Sequence, residues 1–276
     1  MNANLRLLAC QIEIPPVANK EEKTRHLNVV AEKIRAHLSE TASGVDLIVL
    51  PELSSIDYSR AAFDSLPELA EDLDGESFSV YGQVAKEFDA FISYGLPRVE
   101  NGQYYISQVV IAPNGEYLGH YDKLHIAHFG ASMEKDYFRV GEQLLVFEVA
   151  GIKVAPVICY DLRFPELFRE LCITRGVELI IHPVAFYRDA SFPSWHHFAI
   201  TRAMENQVYF LSLNRAGENY GSSIFCPPWI DHDIKSELLL KSEIFKIFEV
   251  DSDVLKQAQE IFPFRADVLE NYANLD

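Results

Sequence analysis

The chain opens on an apolar stretch, residues 5–14, in which Leu5, Leu7, Leu8, Ala9, Cys10 and Ile12 predict a buried first strand that Pro15-Pro16 ends. The period then changes. Over residues 19–38 the apolar positions Leu27, Val30, Ile34 and Leu38 recur at helical spacing among charges, which predicts a one-sided helix. Gly44 closes the next loop, and residues 45–50, apolar apart from Asp46, predict a short strand covered on both faces. Pro51-Glu52 follows it directly. Residues 77–88 predict a second helix and 90–96 another strand. Asn101-Gly102 marks a hairpin into a strand over 104–112, and Pro113-Asn114-Gly115 a turn into a strand over 117–121. Residues 124–143 follow neither period and predict a long irregular loop rich in His, Phe and charge. Loops of that length in compact domains carry function or are disordered.

In the second half, residues 152–158, apolar apart from Lys153, predict a strand that runs straight into Cys159. A helix is expected over 164–175, with Pro165 near its first turn and Gly176 just past its end. Strands over 177–181 and 208–213 flank a helix over 195–206. Residues 217–236 read as irregular, 244–250 as a last strand, and the tail from 258 as loosely helical. No repeat or low-complexity segment interrupts this order. Strands alternate with helices, with hairpins in the middle, so an α/β fold is expected: one domain of mixed sheets covered by helices, not a doubly wound parallel sheet.

Composition narrows the function. The 276 residues are 49% apolar, enough for one large core or two medium ones. Lys and Arg number 24 against 41 Asp and Glu, a formal charge of −17. Such a surface repels nucleic acid phosphates and anionic membranes, which leaves small molecules or protein partners as ligands. The N-terminus lacks a signal peptide's basic start and long apolar core, since Gln11 and Glu13 break its apolar run. No stretch approaches the roughly 20 apolar residues of a membrane helix. Cys10, Cys159, Cys172 and Cys226 lie far apart and form no metal knuckle, so a cytoplasmic protein with reduced thiols is expected.

Four side chains stand where chemistry is possible. Cys159 lies where a strand gives way to a helix, a turn that projects side chains into the crevice at strand carboxyl ends. A helix N-terminus nearby is expected to lower its thiol pKa. The competing reading is a buried packing cysteine. Glu52 holds the equivalent place after another apolar strand, where partial desolvation suits a carboxylate to take a proton; a solvated loop carboxylate is the alternative. Lys123, just past the strand over 117–121, could stabilise an oxyanion or be an ordinary surface lysine. Glu134 could orient the lysine or be one acid among many. The histidines His125, His128, His196, His197 and His232 show no metal-binding helical pair, and no phosphate-loop pattern is present, so no metal is expected.

Taken together these segments resemble the nitrilase superfamily, the carbon–nitrogen hydrolases. The resemblance rests on Leu50-Pro51-Glu52-Leu53, on Tyr121-Asp122-Lys123-Leu124-His125, and most specifically on the run Val157-Ile158-Cys159-Tyr160-Asp161-Leu162-Arg163-Phe164-Pro165-Glu166-Leu167. Glu134 with Tyr137-Phe138 and Gly141, the run 202–207, and Asn214-Arg215 followed by Gly221-Ser222-Ser223 support it, so it covers nearly the whole chain. It implies a four-layer αββα sandwich over residues 1–276 and places a catalytic set on Glu52, Lys123, Cys159 and Glu134. The thiolate would attack carbon, Glu52 would serve as general base, and Lys123 with the Tyr160 backbone N–H would hold the oxyanion. Tyr160, Tyr58 and Phe186 are expected around the substrate. No cofactor is implied. A homodimer or higher homo-oligomer is, with the helix over 164–175 and the tail over about 258–276 at its interface.

The run around Cys159 looks most like the branch of omega-amidases and deaminated-glutathione amidases, so a short linear amide is the expected substrate. Arg163 is a candidate for structure or substrate contact, with the structural role favoured because it opens a helix. Two segments depart from the pattern. His182-Pro183-Val184-Ala185-Phe186-Tyr187 replaces a Pro-Ala-x-Trp-type segment and bears on substrate choice, and residues 223–229 replace an Asp-Pro-Gly turn. Three other readings stand beside the amidase: an N-carbamoyl-amine or ureido-acid hydrolase using the same residues, a non-catalytic binding member, and a metal-dependent hydrolase built on the His-rich loop. Cys10, Cys172 and Cys226 are expected to be dispensable for chemistry, Cys172 packing beside Phe168.

Overall fold

The computed structural model describes residues 3–41, 43–128 and 132–269. In the first half, β1 (Asn4–Gln11), α1 (Lys20–Ser39), β2 (Leu47–Val49), α2 (Arg60–Asp64), α3 (Leu66–Leu69), α4 (Glu76–Phe88), β3 (Phe91–Glu100), β4 (Gln103–Ile111) and β5 (Tyr117–Asp122) follow one another. The second half runs β6 (Phe147–Val149), β7 (Ile152–Pro156), α5 (Pro165–Arg169), β8 (Leu179–Val184), α6 (Phe192–Asn206), β9 (Tyr209–Asn214), β10 (Ile224–Cys226), β11 (Glu237–Leu238), β12 (Ile244–Asp251) and α7 (Ser252–Ile261).

The strands form two six-stranded sheets, ordered β12-β1-β2-β3-β4-β5 and β11-β10-β9-β8-β7-β6. Both are mixed. β1, β2 and β3 run parallel, as do β7, β8 and β9, and antiparallel strands flank each set.

Strand alternation builds the layers. Leu7, Leu47 and Val49 point into one cluster with Val154, Ile181 and Leu211, so the two sheets pack face to face. Their neighbours Leu8 and Ile48 point the other way, against Leu27, Val30 and Ile34 of α1 and Tyr81 and Val84 of α4. Ile180 and Phe210 likewise meet Phe168, Trp195, Ala199 and Ala203 outside the second sheet. The result is helix, sheet, sheet, helix in one domain, the four-layer αββα sandwich expected. Strands buried on both faces explain why the runs over 45–50 and 152–158 read as continuously apolar.

Three expectations are corrected. Residues 164–175 do not form one helix: a 3₁₀ turn, Cys159–Arg163, precedes α5, and a π-helical turn, Glu170–Thr174, follows it. The wider turn, closed by Arg175 N–H to the Glu170 carbonyl (3.1 Å), leaves both Leu171 and Cys172 fully buried. Residues 217–236 are not wholly irregular, because Ile224–Cys226 forms β10, a strand too short to show a period. The terminal helix begins at Ser252 rather than at 258, where the Asp251 carboxylate accepts from the Asp253 N–H (2.8 Å) and caps it. Of the tail expected at an interface, residues 270–276 lie outside the described residues. No described helix is long and apolar enough to cross a membrane.

This topology sets the place of the site. β5 lies two antiparallel steps from β3 and so runs parallel to it. The carboxyl ends of β2, β3 and β5 therefore share one edge of the first sheet, and those of β7, β8 and β9 share one edge of the second.

Candidate active site

Glu52 follows β2 in a turn that lies across β3. Gly95 makes this possible: a Cβ there would collide with the Pro51 carbonyl and the Leu53 N–H. Leu53, the next residue, holds a left-handed φ of 48°. Lys123 leaves the end of β5, and Glu134 opens a 3₁₀ turn in the long loop. Cys159 begins the 3₁₀ turn beyond β7 with a left-handed φ of 45°. Strained non-glycine residues of this kind persist where the surroundings over-determine them.

These side chains meet. The Lys123 ammonium donates to Glu52 Oε1 (2.8 Å) and to Glu134 Oε1 (2.7 Å), and all three are buried. The second oxygens are held as well. Glu52 Oε2 accepts from the Ala185 N–H at the end of β8 (2.7 Å), and Glu134 Oε2 from the Ala127 N–H (2.8 Å). Tyr58 donates to Glu134 Oε1 (2.8 Å), and Arg215 donates to the Glu52 backbone carbonyl (3.1 Å). The fixed charges are therefore ordered before any ligand arrives.

Their titration follows from the same contacts. Burial works against the Lys123 charge, but Glu134 and Glu52 outweigh it and hold the ammonium well above the usual lysine range. Burial, helped by Glu52, pushes the Glu134 carboxyl up although Lys123 pulls it down. Cys159 departs from expectation. Burial and the Glu52 charge push its thiol well above the ordinary range, against the pull of Lys123. A five-residue 3₁₀ turn is too short a dipole to reverse that.

Cys159 keeps a partly accessible face on a cavity of about 230 Å³, whose walls include Tyr58, Met133, Glu134, Tyr160, Arg163 and Phe186. The expected pocket residues Tyr58, Tyr160 and Phe186 are thus all on its surface. Phe186 is fixed by three contacts: Asn214 Oδ1 accepts from its N–H (2.9 Å), Asn214 Nδ2 donates to its carbonyl (3.0 Å), and Trp195 stacks on its ring at 5.1 Å.

Arg163, for which both a structural role and substrate contact were open, lies at the cavity. Its guanidinium donates to Ser194 Oγ (3.2 Å) and lies over Phe198 at 4.4 Å, and no ion pair engages it among the described residues. Its position in the turn rather than in a helix turns it inward, which the period could not show.

Sequence reasoning missed two supports. Asp161, fully buried, accepts from the Ile158 N–H (2.9 Å), Tyr121 OH (2.7 Å), and the His125 N–H (3.0 Å) and Nδ1 (2.7 Å). His182 lies behind the nucleophile's turn rather than on the cavity. An acid between Cys159 and a helix start was a usable signal for the first; nothing local pointed to the second. Among the described residues, no group of three or more His, Cys, Asp or Glu side chains is arranged to hold a metal ion. Cys10, Cys172 and Cys226 are buried in core clusters, Cys172 with Phe168 as expected.

Known proteins agree with this architecture. The carbon–nitrogen hydrolase family model matches residues 6–242. An omega-amidase of Xenopus laevis is 28% identical across 98% of this chain and 96% of its own length, and a nitrilase of Pyrococcus abyssi is 32% identical across 69% of each. Among solved structures, a Saccharomyces cerevisiae member of branch 10 of the nitrilase superfamily superposes with a TM-score of 0.82 at 23% identity, covering 99% of this chain and 97% of that one. An amidase from Nesterenkonia in complex with butyramide gives 0.72 at 20% identity, covering 97% and 98%. These two share the fold. On the family match and the curated relatives, the chain belongs to the carbon–nitrogen hydrolase family, as a hydrolase of carbon–nitrogen bonds other than peptide bonds.

Proposed function

We propose that the protein hydrolyses a short linear amide through a Cys159 thioester and releases ammonia. The observation that carries this reading is the buried Lys123 ammonium bridging Glu52 and Glu134 beside a cavity that Cys159 lines. The thiol rests protonated, so attack and proton transfer go together. Sulfur bonds to the amide carbon while the thiol proton passes to Glu52. The carbonyl oxygen becomes an oxyanion beside Lys123 and the Tyr160 N–H. The C–N bond then breaks, and the departing nitrogen takes the proton from Glu52 and leaves as ammonia. Water next adds to the thioester and gives a proton to Glu52. Collapse breaks the C–S bond, frees the carboxylic acid and returns the proton to sulfur.

Arg163 sharpens the substrate. A half-buried guanidinium on the cavity wall, which among the described residues bonds the Ser194 hydroxyl, suits an amide whose far end carries a carboxylate. Asp189 on the same wall accepts from the Ser191 N–H (2.8 Å) and hydroxyl (2.6 Å), and its charge also acts on the guanidinium, so a substrate carboxylate would share Arg163 with it. The omega-amidase relatives favour amides over nitriles. Four free cysteines agree with a cytoplasmic setting. A homodimer belongs to the same reading. Beside α5, a hollow lined by Pro165, Arg169, Ile173, Val268 and Leu269 leaves Val268 and Leu269 exposed.

The test is ammonia release from monoamides of dicarboxylic acids, neutral short amides and N-carbamoyl compounds. Monoamides are expected to lead, with no release by a folded Cys159→Ala variant. Carbon dioxide formed with the ammonia would transfer the assignment to a carbamoyl hydrolase, and turnover by Cys159→Ala would end the thioester mechanism.

A further inference from the structure

Behind the Cys159 turn, buried polar groups run in a row to the nucleophile's own carbonyl. Trp195 Nε1 is 2.8 Å from Ser212 Oγ, Ser212 Oγ is 2.8 Å from His182 Nδ1, and His182 Nε2 is 2.9 Å from the Cys159 carbonyl oxygen. Trp195, Ser212 and His182 are fully buried.

The direction of each bond follows from the groups. An indole nitrogen only donates, so Ser212 accepts from Trp195. A carbonyl only accepts, so His182 Nε2 carries a hydrogen. Nδ1 of the neutral ring then accepts, and the Ser212 hydroxyl supplies the proton. One tautomer satisfies every group. Burial supports it by pushing the imidazole down to about 4, so the ring is neutral across the working range.

This row acts on the peptide that follows the nucleophile. A trans peptide is planar, and its C=O and N–H point in opposite directions. His182 does not line the cavity, whereas Cys159 and Tyr160 do. Holding the Cys159 carbonyl toward His182 therefore turns the Tyr160 N–H away from His182. The turn also needs an external hold, because Cys159 sits at a left-handed φ of 45°.

We propose that His182 is a positioning residue which, by holding the Cys159 carbonyl, aims the Tyr160 N–H at the oxyanion. This rests on the amide-hydrolase reading above.

The test separates oxyanion stabilisation from thiol placement. Butyraldehyde would add to Cys159 as a thiohemiacetal and place an oxygen where the oxyanion forms. Iodoacetamide alkylates sulfur by displacing iodide, with no oxyanion. His182→Phe is expected to lower kcat for the best amide at least about tenfold, with KM within about threefold, and to weaken butyraldehyde inhibition by a similar factor. Alkylation should change by less than about threefold. His182→Gln can place an amide N–H where Nε2 was, and should recover most of the kcat and aldehyde affinity.

Unchanged kcat and aldehyde affinity in His182→Phe would overturn the proposal, as would alkylation falling in step with them. If His182→Phe does not fold, Ser212→Ala decides. It lets the proton move to Nδ1, and a several-fold loss of aldehyde affinity at unchanged alkylation is expected; no loss overturns the proposal. A wild-type protein that neither releases ammonia nor is inhibited by the aldehyde overturns the amide reading, and this proposal with it. A wild-type protein active on both, beside an indifferent His182→Phe, overturns this proposal alone.

Discussion

At Cys159 burial raises the thiol pKa first, and two neighbours then pull in opposite directions, Glu52 raising it further and Lys123 lowering it. The consequence is measurable as stability. A thiol whose folded pKa is raised holds its proton more tightly in the folded state. Its stabilising contribution is complete below the unfolded thiol range, about 8.5, and is lost as pH climbs beyond it. Cys159→Ala lacks this loss. The variant should therefore gain in melting temperature relative to the wild type between about pH 8.5 and pH 10.5. A constant difference across that window would mean the resting thiol is not raised. Glu52, Lys123 and Cys159 draw notice because a charged or nucleophilic side chain just past a strand is conspicuous, but each keeps a structural alternative on its own, and Glu134, in the loop, joins them only through the family resemblance. What each touches was not legible, since Glu52 and Lys123 lie far apart in sequence and meet only across the sheet.

Between elements, Asp161 is the joint. Its carboxylate ties Tyr121 and His125, on either side of Lys123, to the Ile158 N–H just before Cys159. The lysine strand and the nucleophile turn belong to different sheets, so this buried acid joins them directly, beside the Glu52–Ala185 and Arg215–Glu52 bonds that also cross between the halves. Asp161→Ala would leave several buried donors without an acceptor, at a cost of about 1–3 kcal/mol each where no water replaces it. The expected outcome is a drop in melting temperature of several degrees with a fall in kcat of more than about tenfold, and a smaller loss of both for Asp161→Asn. Full activity in a destabilised Asp161→Ala would separate the joint from catalysis. The elements themselves were largely readable: α1, α4, α6 and most strands fall within a few residues of their expected spans. The errors share a cause. β10 and the divided turn–helix–π segment after β7 are too short for a period to emerge, and local hydrogen bonds and packing decide their form.

For the whole molecule, the proposed dimer would use the face beside α5, where Val268 is exposed. Sedimentation equilibrium should give a dimer for the wild type and a shift toward monomer for a Val268→Asp, Leu269→Asp double variant with unchanged melting behaviour at low concentration. A wild-type monomer at micromolar concentration would remove the dimer from the reading. With a formal charge of −17, such association should also strengthen with salt, because screening reduces repulsion between copies.

By itself the sequence determined that mixed sheets would be covered by helices, since strands apolar on both faces must be covered on both and helices with one apolar stripe can cover only one side; the four-layer order was implied by the family resemblance. The sequence also determined which residues stand at strand ends, because position along a strand is local information. Only the tertiary structure decided that Lys123 bridges two glutamates, that Arg163 turns to the cavity, that the Cys159 thiol is raised rather than lowered, and that His182 lies behind the nucleophile. Each of these depends on distance and burial between segments remote in the chain. Coulomb interactions, desolvation and hydrogen bonds act through space, and no period in the sequence records them.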